Sequence, residues 1–185
     1  MRVIETEFPG VVEIVPRRIA DERGWFIEAW NASAFADAGL KFDWVQDNES
    51  LSLQAGTVRG IHFQASPYAQ DKLVRVIAGR IFDVAVDLRR SSPTFGRWTG
   101  RLLDAERGNQ MVIPKGFGHA FATLEPDCLI AYKVTAHYNQ SADRAIAWDD
   151  PDIGIAWPVD TSAVSMSDKD RTAPRLQDLT AELFD

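Results

Sequence analysis

The run from Lys72 to Leu88 narrows most sharply what this chain can fold into. Lys72-Leu73-Val74-Arg75-Val76-Ile77 and Ile81-Phe82-Asp83-Val84-Ala85-Val86-Asp87-Leu88 are rich in β-branched and other apolar residues, and Ala78-Gly79-Arg80 lies between them. Successive side chains of a strand point to opposite faces. In the second run Phe82, Val84, Val86 and Leu88 therefore share one face, and Asp83, Ala85 and Asp87 share the other. A period of two held over eight residues specifies a strand. Two such runs around a glycine turn specify a hairpin.

Shorter strands follow by the same reasoning. Val11–Val15 is one, stopped by Pro16. Trp25–Trp30 follows the turn Asp21–Gly24, and its aromatic weight suits a pleated surface. Further strands are expected at Arg97–Leu103, Met111–Ile113, Phe117–Leu124 and Leu129–Val134, with an extended polar segment at Gln46–Leu53. Asn31 or Ser33 caps a short helix reaching Ala38, and Gly39 ends it. Beyond Asp149 the chain reads as loop, with a terminal helix expected over Pro174–Phe184. Many short strands and few helices indicate an all-β antiparallel sandwich or barrel, whose mouth is lined by alternate side chains. No repeat and no Pro/Gly/Ser-rich linker divides the sequence, so residues 1–185 are expected to form a single domain.

Composition excludes several classes. A net charge of -7 argues against a broad nucleic-acid surface, though a few arginines in one cleft still make a local positive field. No apolar run approaches the ~18 residues of a membrane span. The opening MRVIETEFPG has acidic residues where an export signal is apolar, and the lone Cys128 has no disulfide partner within the chain. The expected location is the cytoplasm.

Only three histidines occur, His62, His119 and His137. His62 lies in Thr57-Val58-Arg59-Gly60-Ile61-His62-Phe63-Gln64, close to the cations Arg59 and Lys72. One reading makes His62 and His119 structural. A second makes them metal ligands: Gly108, Pro114-Lys115-Gly116 and His119 resemble the second motif of the cupin superfamily, a double-sheet jelly roll. Thr123 stands where that motif closes with Asn, and His62-Phe63-Gln64 lacks the His-x-His and Glu of the first motif. Glutamine is a poor ligand, so the cupin-like fold survives this comparison better than a metal site does. The third reading is metal-free proton transfer. A neutral imidazole suits abstraction next to a ketone and needs a carboxylate on its other nitrogen. Lys72 and Arg59 suit the developing enolate, and Tyr132 suits reprotonation on the opposite face. Arg59 and His62 are three apart and would face opposite ways on a regular strand, so a bulge at Gly60 is expected to bring both inward. Trp98, Trp148 and Trp157 read as packing residues, whereas Tyr138 is a candidate for stacking on a base.

A long ordered series of residues resembles one family. It includes Asp21-x-Arg23-Gly24-x-Phe26-x-Glu28, Gln46-Asp47-Asn48-x-Ser50, Arg59-Gly60-Ile61-His62-Phe63-Gln64 and Gln70-x-Lys72-Leu73-Val74. It continues through Gly79-x-Ile81-Phe82-Asp83-Val84-x-Val86-Asp87-Leu88-Arg89, Pro114-x-Gly116-Phe117-x-His119-x-Phe121, Tyr132-Lys133 and Ser167-x-Lys169-Asp170. The chain resembles the dTDP-4-dehydrorhamnose 3,5-epimerases, metal-free cupin-fold isomerases of nucleotide-linked 4-keto sugars. The resemblance implies His62 as base, Asp170 as its carboxylate, Tyr132 as acid and Lys72 near the oxygen that becomes negative. It places His119 by the sugar, Arg59 on the diphosphate, Gln46 and Asn48 on the nucleoside, and Tyr138 on the thymine. Arg23, Phe26 and Glu28 are implied to cross to a second subunit, giving a homodimer. A dTDP-linked 4-keto sugar is the implied substrate, with neither metal nor cofactor. Gly116-Phe117-Gly118-His119-Ala120-Phe121 exchanges the small residues that usually flank this histidine. The rivals are a single-carbon 3- or 5-epimerase, a non-catalytic sugar-nucleotide binder and a metal cupin oxygenase.

Overall fold

The computed structural model describes the backbone of residues 1–185 and all side chains except those of residues 180–182. The strands are β1 (Arg2–Glu5), β2 (Val12–Val15), β3 (Arg18–Asp21), β4 (Gly24–Ile27), β5 (Gln46–Ser52), β6 (Val58–Gln64), β7 (Lys72–Ala78) and β8 (Arg80–Asp87). They continue as β9 (Trp98–Asp104), β10 (Gln110–Ile113), β11 (Phe117–Thr123), β12 (Cys128–Val134) and β13 (Asp143–Ala145). Helix α1 spans Ala32–Asp37, and α2 spans Asp168–Arg171. All the strand ladders are antiparallel.

Two sheets carry the fold. One has the order β1-β2-β10-β7-β12-β5, the other β13-β6-β11-β8-β9. The expected hairpin at Lys72–Leu88 does not become one ladder. Its arms β7 and β8 enter different sheets, so the turn at Gly79 is a corner of the sandwich. Gly79 has φ +79, and a Cβ there would lie 2.6 Å from Cys128 Sγ. Between the sheets Val74, Val76, Met111, Ile113 and Ile130 meet Ile81, Ala85, Leu103, Phe117 and Phe121. The other face of β8 carries Val84, Val86 and Leu88, which the C-terminal segment covers with Ile146, Ile153, Leu176 and Leu179. Both faces of this strand are thus buried, which explains why its alternation is Val against Ala and Asp rather than apolar against exposed polar. On the far side of the other sheet α1 sets Phe35 against Ile14, Leu73 and Val112.

Several local expectations shift. Asn31 is the helix cap, its side chain accepting from the Ala34 N–H. The strand expected at Trp25–Trp30 stops at Ile27 and belongs to an exposed two-stranded hairpin, β3–β4. The expected terminal helix is a kinked 3-10 segment, Leu176–Glu182. Trp98 and Trp157 pack on the outer face of the five-stranded sheet, and Trp148 meets Trp157 at 6.3 Å between ring centroids.

The expected bulge at Gly60 is present. His119 pairs with His62 and Phe121 pairs with Arg59, so three steps along β6 match two along β11. The extra residue turns both Arg59 and His62 to the inner side. Gly60 has φ +115, and a Cβ there would stand 2.5 Å from the His119 carbonyl oxygen and 2.6 Å from Ala120 Cβ. Gly60→Ala is expected to lower stability by about 2–5 kcal/mol, combining overpacking with backbone strain. Gly56, with φ +74 and open space around it, is the control: Gly56→Ala carries the strain without the collision and costs about 1–3 kcal/mol. Chemical denaturation of the two variants checks the difference.

Candidate active site

A cavity of about 620 Å³ opens between the two sheets. That is within the usual range for a small-molecule site. One wall is built by inward residues of the six-stranded sheet: Gln46 and Asn48 on β5, Lys72 on β7 and Tyr132 on β12. The facing wall is built by Arg59 and His62 on β6 and His119 on β11. Register explains the grouping. Asn48 pairs with Tyr132 across β5 and β12, and His62 pairs with His119 across β6 and β11.

His62 Nε2 lies 2.5 Å from Asp170 Oδ1. Asp170 sits in the single-turn helix α2, whose cap Ser167 accepts from the Asp170 N–H. Its side chain is only 4% exposed. Burial alone would raise its pKa. The hydrogen bond from His62, with the Ser167 hydroxyl and the Lys169 charge beside it, outweighs that, and the carboxyl ends below its ordinary value. An ionised Asp170 can only accept, so Nε2 carries the proton, and in the neutral ring the lone pair is then on Nδ1. That is the tautomer of a base.

The second histidine is held differently. His119 Nε2 lies 2.7 Å from Asp83 Oδ1, and both residues are buried. Burial pushes the His119 pKa down, against the opposing pull of Asp83, and the nearby Lys72 and His62 add to the lowering. A neutral ring is the result. Lys72 is 8% exposed. Burial lowers its pKa to about 8, opposed by the carboxylates of Asp83 and Asp143 and reinforced by Lys169. Burial raises the Tyr132 phenol, Arg59 opposing and Asp143 reinforcing, so its proton stays on at neutral pH.

The wide end of the cavity is polar. Arg59 donates through Nε to Ser52 Oγ at 3.2 Å and through a terminal nitrogen to the Leu51 carbonyl at 3.0 Å. Gln46 bridges Asn48, 2.8 Å away, and the backbone N–H of Tyr138, 3.1 Å away. The Tyr138 ring is exposed at the rim, and its hydroxyl donates to Asp143. Asp143 also holds the Lys169 ammonium at 2.5 Å.

Nine of the twelve residues singled out from the sequence therefore meet here: eight line the cavity, and Asp170 stands directly behind His62. The other three do not. Arg23 lies on the exposed hairpin and pairs with Asp21. Phe26 is 65% exposed, and Glu28 accepts from the Asn31 side chain. Sequence reasoning missed Asp83, Asp143 and Lys169 as parts of the site. Asp83 had a visible signal, a carboxylate on the inward face of an apolar strand. Asp143 had none, since its place depends on β13 folding back onto β6. Among the described residues no group of three or more His, Cys, Asp or Glu is arranged to hold a metal ion.

Comparison with known proteins agrees with this geometry. Residues 5–178 match the family model described as dTDP-4-dehydrorhamnose 3,5-epimerase. The enzyme of that name from Sinorhizobium fredii is 52% identical over 170 residues, spanning 90% of this chain and 85% of its own. The crystal structure of dTDP-6-deoxy-D-glucose-3,5-epimerase from Legionella pneumophila, in complex with dTDP-4-keto-L-rhamnose, superposes with a TM-score of 0.93 at 42% identity, covering 99% of this chain and 96% of its own. ChmJ from Streptomyces bikiniensis, a 3'-monoepimerase in complex with dTDP-quinovose, superposes at 0.89 with 34% identity, covering 96% and 89%. On a match that runs almost end to end, the chain belongs to the dTDP-4-dehydrorhamnose 3,5-epimerase family.

Proposed function

We propose that this chain is an isomerase that inverts C3 and C5 of dTDP-4-dehydro-6-deoxy-D-glucose, giving dTDP-4-dehydro-L-rhamnose for rhamnose biosynthesis. One observation carries the mechanism: His62, backed at Nε2 by Asp170, and Tyr132 line one cavity from opposite sheets.

The C4 carbonyl acidifies the hydrogens on both of its neighbouring carbons. His62 removes one of them, and the charge that appears on Nε2–H is held by Asp170. The electron pair moves to the C4 oxygen, where the Lys72 ammonium donates. Tyr132 then delivers a proton to the carbon from the other side, and its configuration inverts. Repeating the sequence at the second carbon uses the same enolate oxygen and the same pair. Electrons return to where they began, so the reaction needs no redox partner. Acid and base typically contribute ~10²–10⁴-fold each.

Arg59 takes the diphosphate, and Gln46, Asn48 and Tyr138 take the nucleoside. This remote binding energy keeps the sugar in register over His62. His119, neutral and tied to Asp83, hydrogen-bonds the sugar through its remaining nitrogen. The residues 1–185 act as one domain. We also infer a homodimer. Ile19, Trp25 and Phe26 on the β3–β4 hairpin are each more than half exposed, a liability that a second subunit's nucleotide pocket would relieve while gaining Arg23, Phe26 and Glu28. The proposed site of action is the cytoplasm. No helix among the described residues is long and apolar enough to cross a membrane.

NMR of the 4-keto sugar nucleotide in heavy water tests the reaction. Deuterium is expected at both carbons, with the L-configured product. Label at one carbon with a single inversion would instead assign a monoepimerase, the activity given for ChmJ. His62→Ala is expected to lose exchange at both carbons by at least ~10²-fold while retaining dTDP affinity. Tyr132→Phe is expected to lower inversion with little change in dTDP affinity, and unchanged turnover would remove Tyr132 from the mechanism. Analytical ultracentrifugation is expected to give a dimer that Phe26→Asp weakens.

A further inference from the structure

The mechanism asks Lys72 to be a cation inside a protein, yet gives it no partner. The Lys72 side chain is buried, and its ammonium makes no hydrogen bond or ion pair with another described residue. Its backbone neighbour Asp71 offers nothing, because that carboxylate is occupied by the Lys115 N–H and the Thr135 hydroxyl. Behind His119, which lines the same cavity as Lys72, Asp83 has the opposite defect. It is fully buried on β8, and only Oδ1 is used, by His119. Oδ2 has no partner. A buried carboxylate oxygen left bare costs free energy, so its retention calls for an electrostatic reason.

We propose that Asp83 is a positioning residue for the epimerisation: its buried charge keeps the Lys72 ammonium protonated, and its hydrogen bond holds His119 in one tautomer beside it. The two effects belong to one carboxylate. Oδ1 accepts the His119 Nε2–H, which leaves Nδ1 of a neutral ring free for the sugar. The negative charge that remains acts through a low-dielectric interior on Lys72.

The surroundings single out Asp83 among the charged groups. Of those facing Lys72, Asp83 gives the largest favourable charge interaction, ahead of Asp143, while Lys169 opposes. Asp143 is already committed to Lys169 and to the Tyr138 hydroxyl. His62, His119 and Tyr132 line the same cavity and carry no negative charge at neutral pH in the states described above; Arg59 adds a like charge. Arg101 pairs with Asp83 across β8 and β9, but its guanidinium is directed to Glu7 and Glu13. Burial already brings the Lys72 pKa to about 8. Without the Asp83 charge it falls further, and at neutral pH the enolate oxygen would meet an amine with no positive charge.

The inference rests on the epimerase reading only for its effect on turnover, and the test separates the two. Asp83→Asn keeps the shape and removes the charge. In protein labelled at lysine, the NMR titration of Lys72 is expected to move down by at least about one pH unit in this variant, the low end for loss of a neighbouring opposite charge. The alkaline limb of deuterium exchange into the keto sugar should move down with it, so that kcat at pH 8 falls at least about fivefold while dTDP affinity changes less than about twofold. In the wild-type protein the Asp83 carboxyl carbon should show an inflection at the Lys72 pKa, which keeps the test available if the variant does not fold. A Lys72 titration unmoved by Asp83→Asn, or a flat Asp83 signal across that range, would overturn the proposal. Absence of exchange in the wild type beside a shifted Lys72 would contradict the epimerase reading and leave the coupling standing.

Discussion

A proton shared between the His62 imidazole and the Asp170 carboxylate is the contact on which the site depends. The two residues are far apart in sequence and reach each other only because several distant segments are in place. The bulge at Gly60 turns His62 inward, β13 pairs with β6 beyond it, and the C-terminal segment returns to seat α2 behind the ring. The outer cluster around Val84, Val86 and Leu88 holds that returning segment down through Leu176 and Leu179. Burial of apolar surface on the side of the sheet away from the cavity thus supplies the energy that fixes a polar contact inside it.

Burial then sorts the remaining groups by charge. Desolvation disfavours whichever form is charged. In this cavity it holds His119 neutral and keeps the Tyr132 proton in place, as the proposed roles ask, but it loosens the Lys72 proton, against the charge proposed for that group. Two carboxylates resist the same force differently. Asp170 is kept ionised by direct hydrogen bonds, whereas Asp83 acts on Lys72 through space. A chain with a net charge of -7 thereby presents Arg59, Lys72 and Lys169 to one cavity.

The parts of this arrangement that follow from local chemistry were legible in the sequence. Alternation along Ile81–Leu88 gives the strand, and the three-residue spacing of Arg59 and His62 around a glycine gives the bulge. What was not legible depends on which sheet each strand joins. The period of two in β7 and β8 predicts a hairpin equally well whether its arms pair or part, and here they part. Asp143 is invisible for the same reason, since nothing near it in sequence announces that β13 lies beside His62. Residues Arg23, Phe26 and Glu28 stand apart because the exposed β3–β4 hairpin and the residue after it do not line the cavity. Their assignment rests on family resemblance, and the exposed aromatic face of that hairpin is the feature of the fold that supports it.

The most direct test of the central claim is the tautomer of His62, read from the imidazole nitrogen shifts of histidine-labelled protein at neutral pH. A proton on Nε2 and a bare Nδ1 are expected, with that preference lost in Asp170→Asn. A ring protonated at Nδ1, or a tautomer indifferent to Asp170, would contradict that claim, because the lone pair would then face the carboxylate and no base would face the substrate.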